Sequence, residues 1–252
     1  MAIALTTLVE EVERFLGASR ISDYCPNGLQ VEGRPQVRRI VSGVTASQAL
    51  LDAAVEAEAD VVLVHHGYFW KGENPCVVGI KQRRLKTLLT NDISLLAYHL
   101  PLDVHPEVGN NVQLARQLDI TVEGPLEPDN PRTVGLIGSL AEPLTPRDFA
   151  RRVQDVLGRE PLLVEGSGMI RRIGWCTGGG QGYIDTAIAA DVDLYLTGEA
   201  SEQTFHSARE NGISFIAAGH HATERYGVQA LGDYLARRFA IEHLFIDCPN
   251  PI

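Results

Sequence analysis

The chain has only four cysteines among 252 residues, and no two of them form a C-x-x-C pair. Cys25, Cys76, Cys176 and Cys248 therefore spell no disulfide framework, thiolate zinc motif or dithiol redox motif, and reduced, buried thiols are expected. Long apolar runs are also missing. Residues 61–64 are the kind of run the chain does carry, against the ~20 residues that span a bilayer. The opening residues lack the basic start and apolar run of a secretory signal, so a cytoplasmic location is expected. Positive charge is scarce: 22 Lys and Arg against 32 Asp and Glu leave a net charge of −10. That balance excludes a broad grip on a nucleic-acid backbone, but not small nucleotides, which need only a few local donors. Aromatic residues make up 6% of the chain, and no glycine-rich stretch completes a P-loop or dinucleotide fingerprint. What remains, 44% hydrophobic and 21% charged residues, is an ordinary globular composition, long enough for one large or two small domains.

Short β-branched runs alternate with amphipathic stretches. Thr7 and Glu10 spell a capping box for a helix over 7–17, ended by Gly17. Residues 24–28 (YCPNG) are turn chemistry. Strands are expected at 39–44, 61–65 and 93–98, with helices at 47–58 and 81–91 between them. Prolines 125, 128 and 131 mark a connection, which suggests an α/β unit over 1–126 and a second over 127–252. In the second, strands are expected at 133–140 and near 161–165, 170–176, 193–197 and 213–218, with a helix opened by Thr145-Pro146. A helix at 222–238 and a strand at 241–246 close the chain and can pack back on the first unit. Near-continuous apolar strands separated by helices predict parallel sheets covered on both faces.

The halves are related to each other. Residues 37–63 and 170–196 align without gaps, sharing nine residues, among them Arg38/Arg171, Arg39/Arg172, Asp52/Asp185 and Asp60/Asp193. Two internally related, three-layer α/β units predict that chemistry lies at equivalent strand ends, with the site between the units.

Those ends carry six of the eight histidines: His65-His66 after 61–64, His99 and His105 around Asp103, and His220-His221 before Glu224. Neighbouring residues on a strand point opposite ways, so His65 and His66 are expected to serve two adjacent ions rather than one. His220 and Glu224 lie four apart and can converge on one helical face. Asp103 sits on a proline-bearing loop, free to reach inward. Imidazoles and carboxylates without a thiolate suit Zn, Fe, Mn or Co at an open site, and a carboxylate such as Glu224 can bridge two ions. His105 and His221 are weaker candidates, His99 is a ligand or a ligand's partner, and His243 is structural. Three features stay open. The 177–182 stretch (TGGGQG) is an anion cradle or a tight turn. Glu199, Glu202 and His206 orient ligands or belong to a solvated face. Residues 68–71 (YFWK) stack on a base or pack in a core or subunit contact.

Residues 27–33 (NGLQVEG), 43–47 (GVTAS), 64–72 (VHHGYFWKG), 99–103 (HLPLD), 109–111 (GNN), 197–199 (TGE) and 219–227 (GHHATERYG) resemble the Nif-three-like dinuclear metal-centre family, its YbgI-like branch in particular. Many members carry the name GTP cyclohydrolase 1 type 2 homologue. The resemblance runs from about residue 20 to the terminal DCPNP. It implies two linked α/β units holding two divalent ions (Zn, Fe or Mn), and a homohexamer. By resemblance the ligands are His65, His66, Asp103, His220 and Glu224, the last bridging, with His99 nearby. The implied function is a metal-dependent hydrolase that uses metal-activated water on a nucleotide or small phosphorylated compound. The alternative is a non-catalytic metal-binding ring with a regulatory, metal-handling or interaction role.

Overall fold

A computed structural model describes residues 2–252. The chain forms two compact units: one extends to Val108 and takes in Gly227–Cys248, the other comprises Gly109–Tyr226 and Pro249–Ile252. The dividing line thus falls ahead of the proline-rich segment, not at 126/127. Packing explains the difference. Leu114, Ala115, Leu118 and Ile120 join the second unit's core, and the strand Thr121–Pro125 pairs antiparallel with Leu136–Leu144. Pro125 closes an edge strand, where a missing N–H costs no ladder bond.

In the first unit, a five-stranded sheet has the order Glu242–Phe245, Arg39–Thr45, Val61–His66, Ser94–Ala97, Gly28–Val31. The first four strands run parallel and the last antiparallel. Its strands are apolar on both sides because both faces are covered. Leu8 and Val12 of the helix Leu5–Leu16, with Val228, Leu231 and Leu235, bury one face. Leu50, Leu51 and Ala54 of Gln48–Glu56, with Leu85 and Leu88 of Gly79–Thr90, bury the other. The first helix starts two residues before the predicted capping box and leaves it unused. The strand Ile3–Ala4 pairs with Gln36–Val37 and delivers the chain to Leu5, whose N–H bonds Pro35 O instead. Gly17 ends the helix in the left-handed region, φ 61°.

The second unit is built on a six-stranded sheet of order Thr121–Pro125, Leu136–Leu144, Ile170–Cys176, Leu194–Thr197, Ser214–Ala217, Leu162–Val164. Only the three strands Ile170–Cys176, Leu194–Thr197 and Ser214–Ala217 are mutually parallel; the flanking ones are antiparallel. Trp175, fully buried, donates its indole N–H to Asn111 O at 3.0 Å.

The internal repeat is physical as well as textual. Ile40 pairs Val61, which pairs Ser94; Ile173 pairs Leu194, which pairs Ser214. Asp60 Oδ2 accepts the backbone N–H of Arg38 and Arg39, and Asp193 Oδ2 accepts those of Arg171 and Arg172. Ser94 and Ser214 accept from Gly33 N and Gly166 N in the same way. In each unit the carboxyl ends of the parallel strands open on one edge, where an open α/β sheet offers its ligand site.

Four further observations bear on the sequence reading. The helix expected over 222–238 is two: His220–Thr223 and Arg225–Phe239, separated at Glu224 (φ −109°, ψ 6°). His243 bridges Ser42 Oγ (2.7 Å) and Asp233 Oδ1 (2.8 Å), with Ser42 fully buried. All four cysteines are free thiols, but only Cys176 is buried, and Cys76 is exposed. Among the described residues no helix is long and apolar enough to cross a membrane.

Candidate metal centre

In the first unit His65 and His66 end the strand Val61–His66. His65 is fully buried, its Nδ1 3.0 Å from the carbonyl oxygen of Tyr98 on the neighbouring strand. A carbonyl only accepts, so Nδ1 is the donor in this contact. Nε2 lies 3.4 Å from Asp103 Oδ1. Asp103 is not on an open loop: it belongs to the one-turn helix Leu100–Asp103, in whose first turn Pro101 sits, and its side chain is buried. His66 Nδ1 is 3.1 Å from Thr45 Oγ1. The alternation that sets His65 and His66 on opposite faces is not kept at this strand end, although His66 still pairs with Thr45. Their rings are 4.5 Å apart, and ligand atoms of His65, His66 and His99 lie within 4.8 Å of one another.

His99 is backed by a residue the sequence reading passed over. Asp23 takes His99 Nδ1 at 3.0 Å, Asn27 Nδ2 at 2.9 Å and Leu100 N at 2.9 Å. Burial opposes the charge on Asp23, but these hydrogen bonds prevail and hold its carboxyl well below the usual range. The turn-forming stretch just after it was the available signal. Cys25 joins Asp23 and His99 in a second group of potential donors, yet burial first and the Asp23 charge second push its thiol up to about 12. Trp70 meets the His99 ring edge-on at 5.1 Å, and Tyr68 is buried with its hydroxyl on Ala46 O. Trp70 therefore packs beside the histidines, whereas Tyr68 belongs to the core. His105 is structural: Nε2 faces Phe15 O at 3.1 Å, Nδ1 accepts from Glu107 N and Val108 N, and burial lowers its pKa.

In the second unit His220 Nδ1 lies 2.6 Å from Glu199 Oε1, and His220 Nε2 lies 3.2 Å from Glu224 Oε2. The four-residue spacing thus brings His220 and Glu224 together even though the helix breaks at Glu224. Burial disfavours the His220 charge, but the hydrogen bonds and charges of Glu224 and Glu199 outweigh it and raise the pKa to about 9. Glu224 is buried against Gly178. A Cβ at Gly178 would overlap the Glu224 carboxylate and sit 3.1 Å from His220 Nε2, and its φ of +68° favours glycine independently. The glycine stretch is therefore a tight turn rather than an anion cradle. Gly178 N–H is used by Thr223 Oγ1 and Gly180 N–H by Thr197 Oγ1, both at 3.0 Å. Of the three open candidates in 199–206, Glu199 orients His220, whereas Glu202 and His206 lie on the exposed face of Glu202–Asn211. His221 is buried.

The fold and these donors define a class: an α/β protein whose strand ends carry His, Asp and Glu clusters able to hold metal ions. The chain belongs to the DUF34/NIF3 (NGG1p interacting factor 3) family, whose model matches residues 3–251. It is 84% identical over 251 residues to the "GTP cyclohydrolase 1 type 2 homolog" of Pseudomonas aeruginosa, covering 100% of both chains. It is 54% identical over 248 residues to the protein of that name from Escherichia coli K12, covering 98% of each. Among solved structures, "protein ybgI" matches with a TM-score of 0.95 and 53% identity over 99% of this chain and 100% of that one. A second solved structure, from Thermus thermophilus, matches with a TM-score of 0.91 and 36% identity, again over 99% and 100%.

Proposed function

We propose that the protein is a dinuclear metal-dependent hydrolase whose ligands are His65, His66, Asp103, His220 and Glu224, acting on a nucleotide or other small phosphorylated compound. One observation carries the reading. His65 and His220 each have Nδ1 tied down, to Tyr98 O and to Glu199, and Nε2 turned to a carboxylate oxygen at 3.4 and 3.2 Å. An imidazole anchored through Nδ1, with Nε2 directed at a carboxylate, is how histidine ligands are held, so the donor set fits divalent Zn, Fe or Mn. When bound, a pair of such ions supplies a Lewis acid and activates water at neutral pH. The chain's part is orientation. Tyr98 O, Thr45 and Glu199 fix the imidazoles, Gly178 leaves room for the Glu224 carboxylate, and Asp23 holds His99 beside His65 and His66. Family membership supports Glu224 as the bridging ligand, a hexameric ring and a cytoplasmic location. The relatives' name supports a guanine nucleotide as the first substrate to try.

The test is elemental analysis of untagged protein after gel filtration, followed by nucleotide hydrolysis with the metal found. About two ions per chain, lost in Glu224→Ala together with hydrolysis, is the expected result. One ion or none after reconstitution with Zn, Mn and Fe refutes the dinuclear reading. Two ions with no turnover on any nucleotide tried favours a metal-binding ring without catalysis.

A further inference from the structure

The second unit contains a pocket of about 640 Å³ beside His220, within the range that admits a small organic ligand. Arg159, Glu160, Gly198, Glu199 and Gly219 line it. Arg159 follows Gly158, the left-handed cap of the helix Pro146–Leu157. Its guanidinium lies over Gly219, the residue before His220: a Cβ there would sit 2.8 Å from Arg159 Cζ and 3.1 Å from Cδ. Gly219 therefore provides the floor on which the guanidinium rests, and its own φ of +101° is open to glycine alone at little strain.

Arg159 has no hydrogen-bond or ion-pair partner among the described residues, and its Nη1 is buried without an acceptor. A guanidinium carries five N–H donors in a planar fork, and withholding acceptors from a buried donor is costly. The other arginines set against carboxylates in this unit, such as Arg147 with Glu165, are paired on the surface. Of the side-chain carboxylates in the pocket, Glu199 is committed to His220 at 2.6 Å and Glu160 is exposed, while Pro251 and Ile252 form another part of its wall. The pocket thus presents, near a proposed metal ligand, a guanidinium that none of the described residues pairs.

We infer that Arg159 is a specificity-determining residue that receives a phosphate group of the substrate in this pocket. The inference rests on the proposed hydrolase reading for the identity of the substrate, but not for the existence of the anion site. A bidentate fork on phosphate oxygens matches the chemistry of arginine better than that of lysine.

The test uses the full-length, metal-free protein and inorganic phosphate as probe, with sodium acetate at equal ionic strength as the comparison. Binding is read by calorimetry and by thermal shift. Wild type is expected to bind phosphate, with Arg159→Gln weakened about tenfold or more and Arg159→Lys in between. Circular dichroism reports whether each variant is folded, and Arg159→Lys keeps the test alive if Arg159→Gln is not. Equal phosphate binding by wild type and both variants overturns the proposal, as does acetate binding as tightly as phosphate. The metal-loaded enzyme supplies the second arm, in which KM for a nucleoside phosphate rises in Arg159→Gln while metal content stays unchanged. Hydrolysis with an unmoved KM sinks the role of Arg159 and leaves the hydrolase standing. Phosphate binding that needs Arg159 in a protein that never holds metal sinks the hydrolase and leaves the anion site.

Discussion

His220 is held between two carboxylates, and that makes the metal-free protein's stability depend on pH in a direction that metal should reverse. Without metal, the imidazole is charged in the folded state up to about pH 9, against an ordinary value of 6.5. A raised folded-state pKa contributes stability that is fully present below pH 6.5 and is lost as pH climbs to about 9. The difference between 6.5 and about 9 corresponds to at most about 3.4 kcal/mol. The His220 side chain is 29% exposed, so solvent screening brings this to about 1–2 kcal/mol, or roughly 3–6 °C for a chain of this size. The assay is thermal denaturation in chelator at pH 6 and pH 9.5, for wild type and His220→Gln. The stability difference between them should fall by that amount at the higher pH. With saturating Zn or Mn the sign reverses. The ligand must be the neutral imidazole, so uptake releases the proton that Glu199 and Glu224 hold, and affinity should climb about tenfold per pH unit below 9. A wild-type-minus-variant difference that stays flat from pH 6 to 9.5 in chelator would show that Glu199 and Glu224 do not hold the proton on His220.

Three further outcomes are expected. Glu199→Gln removes the charge that anchors His220 Nδ1, so metal affinity should drop about 10–100-fold while the fold persists; an unchanged dissociation constant in competition with a chelating dye argues against that anchoring. Asp60→Ala should cost about 2–3 kcal/mol in denaturant titration, because it strands the N–H groups of Arg38 and Arg39 and removes the partner of Arg34 Nη1, whereas Asp193→Ala at the exposed equivalent position should cost less; the reverse ranking would contradict the burial argument. His243→Ala should destabilise by about 1–3 kcal/mol, since it leaves Ser42 Oγ without its partner, and should leave metal content untouched, which elemental analysis checks.

The last case shows why residue types alone do not identify chemistry. Ser42, His243 and Asp233 have the spacing of a hydrolytic triad, with links of 2.7 and 2.8 Å. Yet Ser42 is fully buried, so no substrate carbonyl can reach its Oγ, and the chain of hydrogen bonds serves to join two strands and a helix. His65 and His220 differ in kind. Their anchored Nδ1 atoms leave Nε2 facing a carboxylate rather than a structural donor.

Pattern and spacing alone determined much of this protein: the α/β class, the parallel core strands, the doubled architecture and the gathering of His65, His66, His99 and His220 at or just past strand ends. Those features are legible because hydrophobic periodicity and turn chemistry act over a few residues, and because a repeated βαβ segment repeats its tethers, as Asp60 and Asp193 do. Tertiary structure decided what depends on residues distant in the chain. The helix at Leu5 starts early because Pro35 accepts its N–H. His65 and His66 lie side by side at a strand end where alternation lapses. Asp23 reaches His99 from 76 positions away, and the glycine turn is shaped around Glu224 rather than around an anion. Only the fold shows Arg159 lying over Gly219 without an acceptor. A hydrogen bond is local in space and indifferent to sequence separation, so the donors could be read from the chain while their orientation could not.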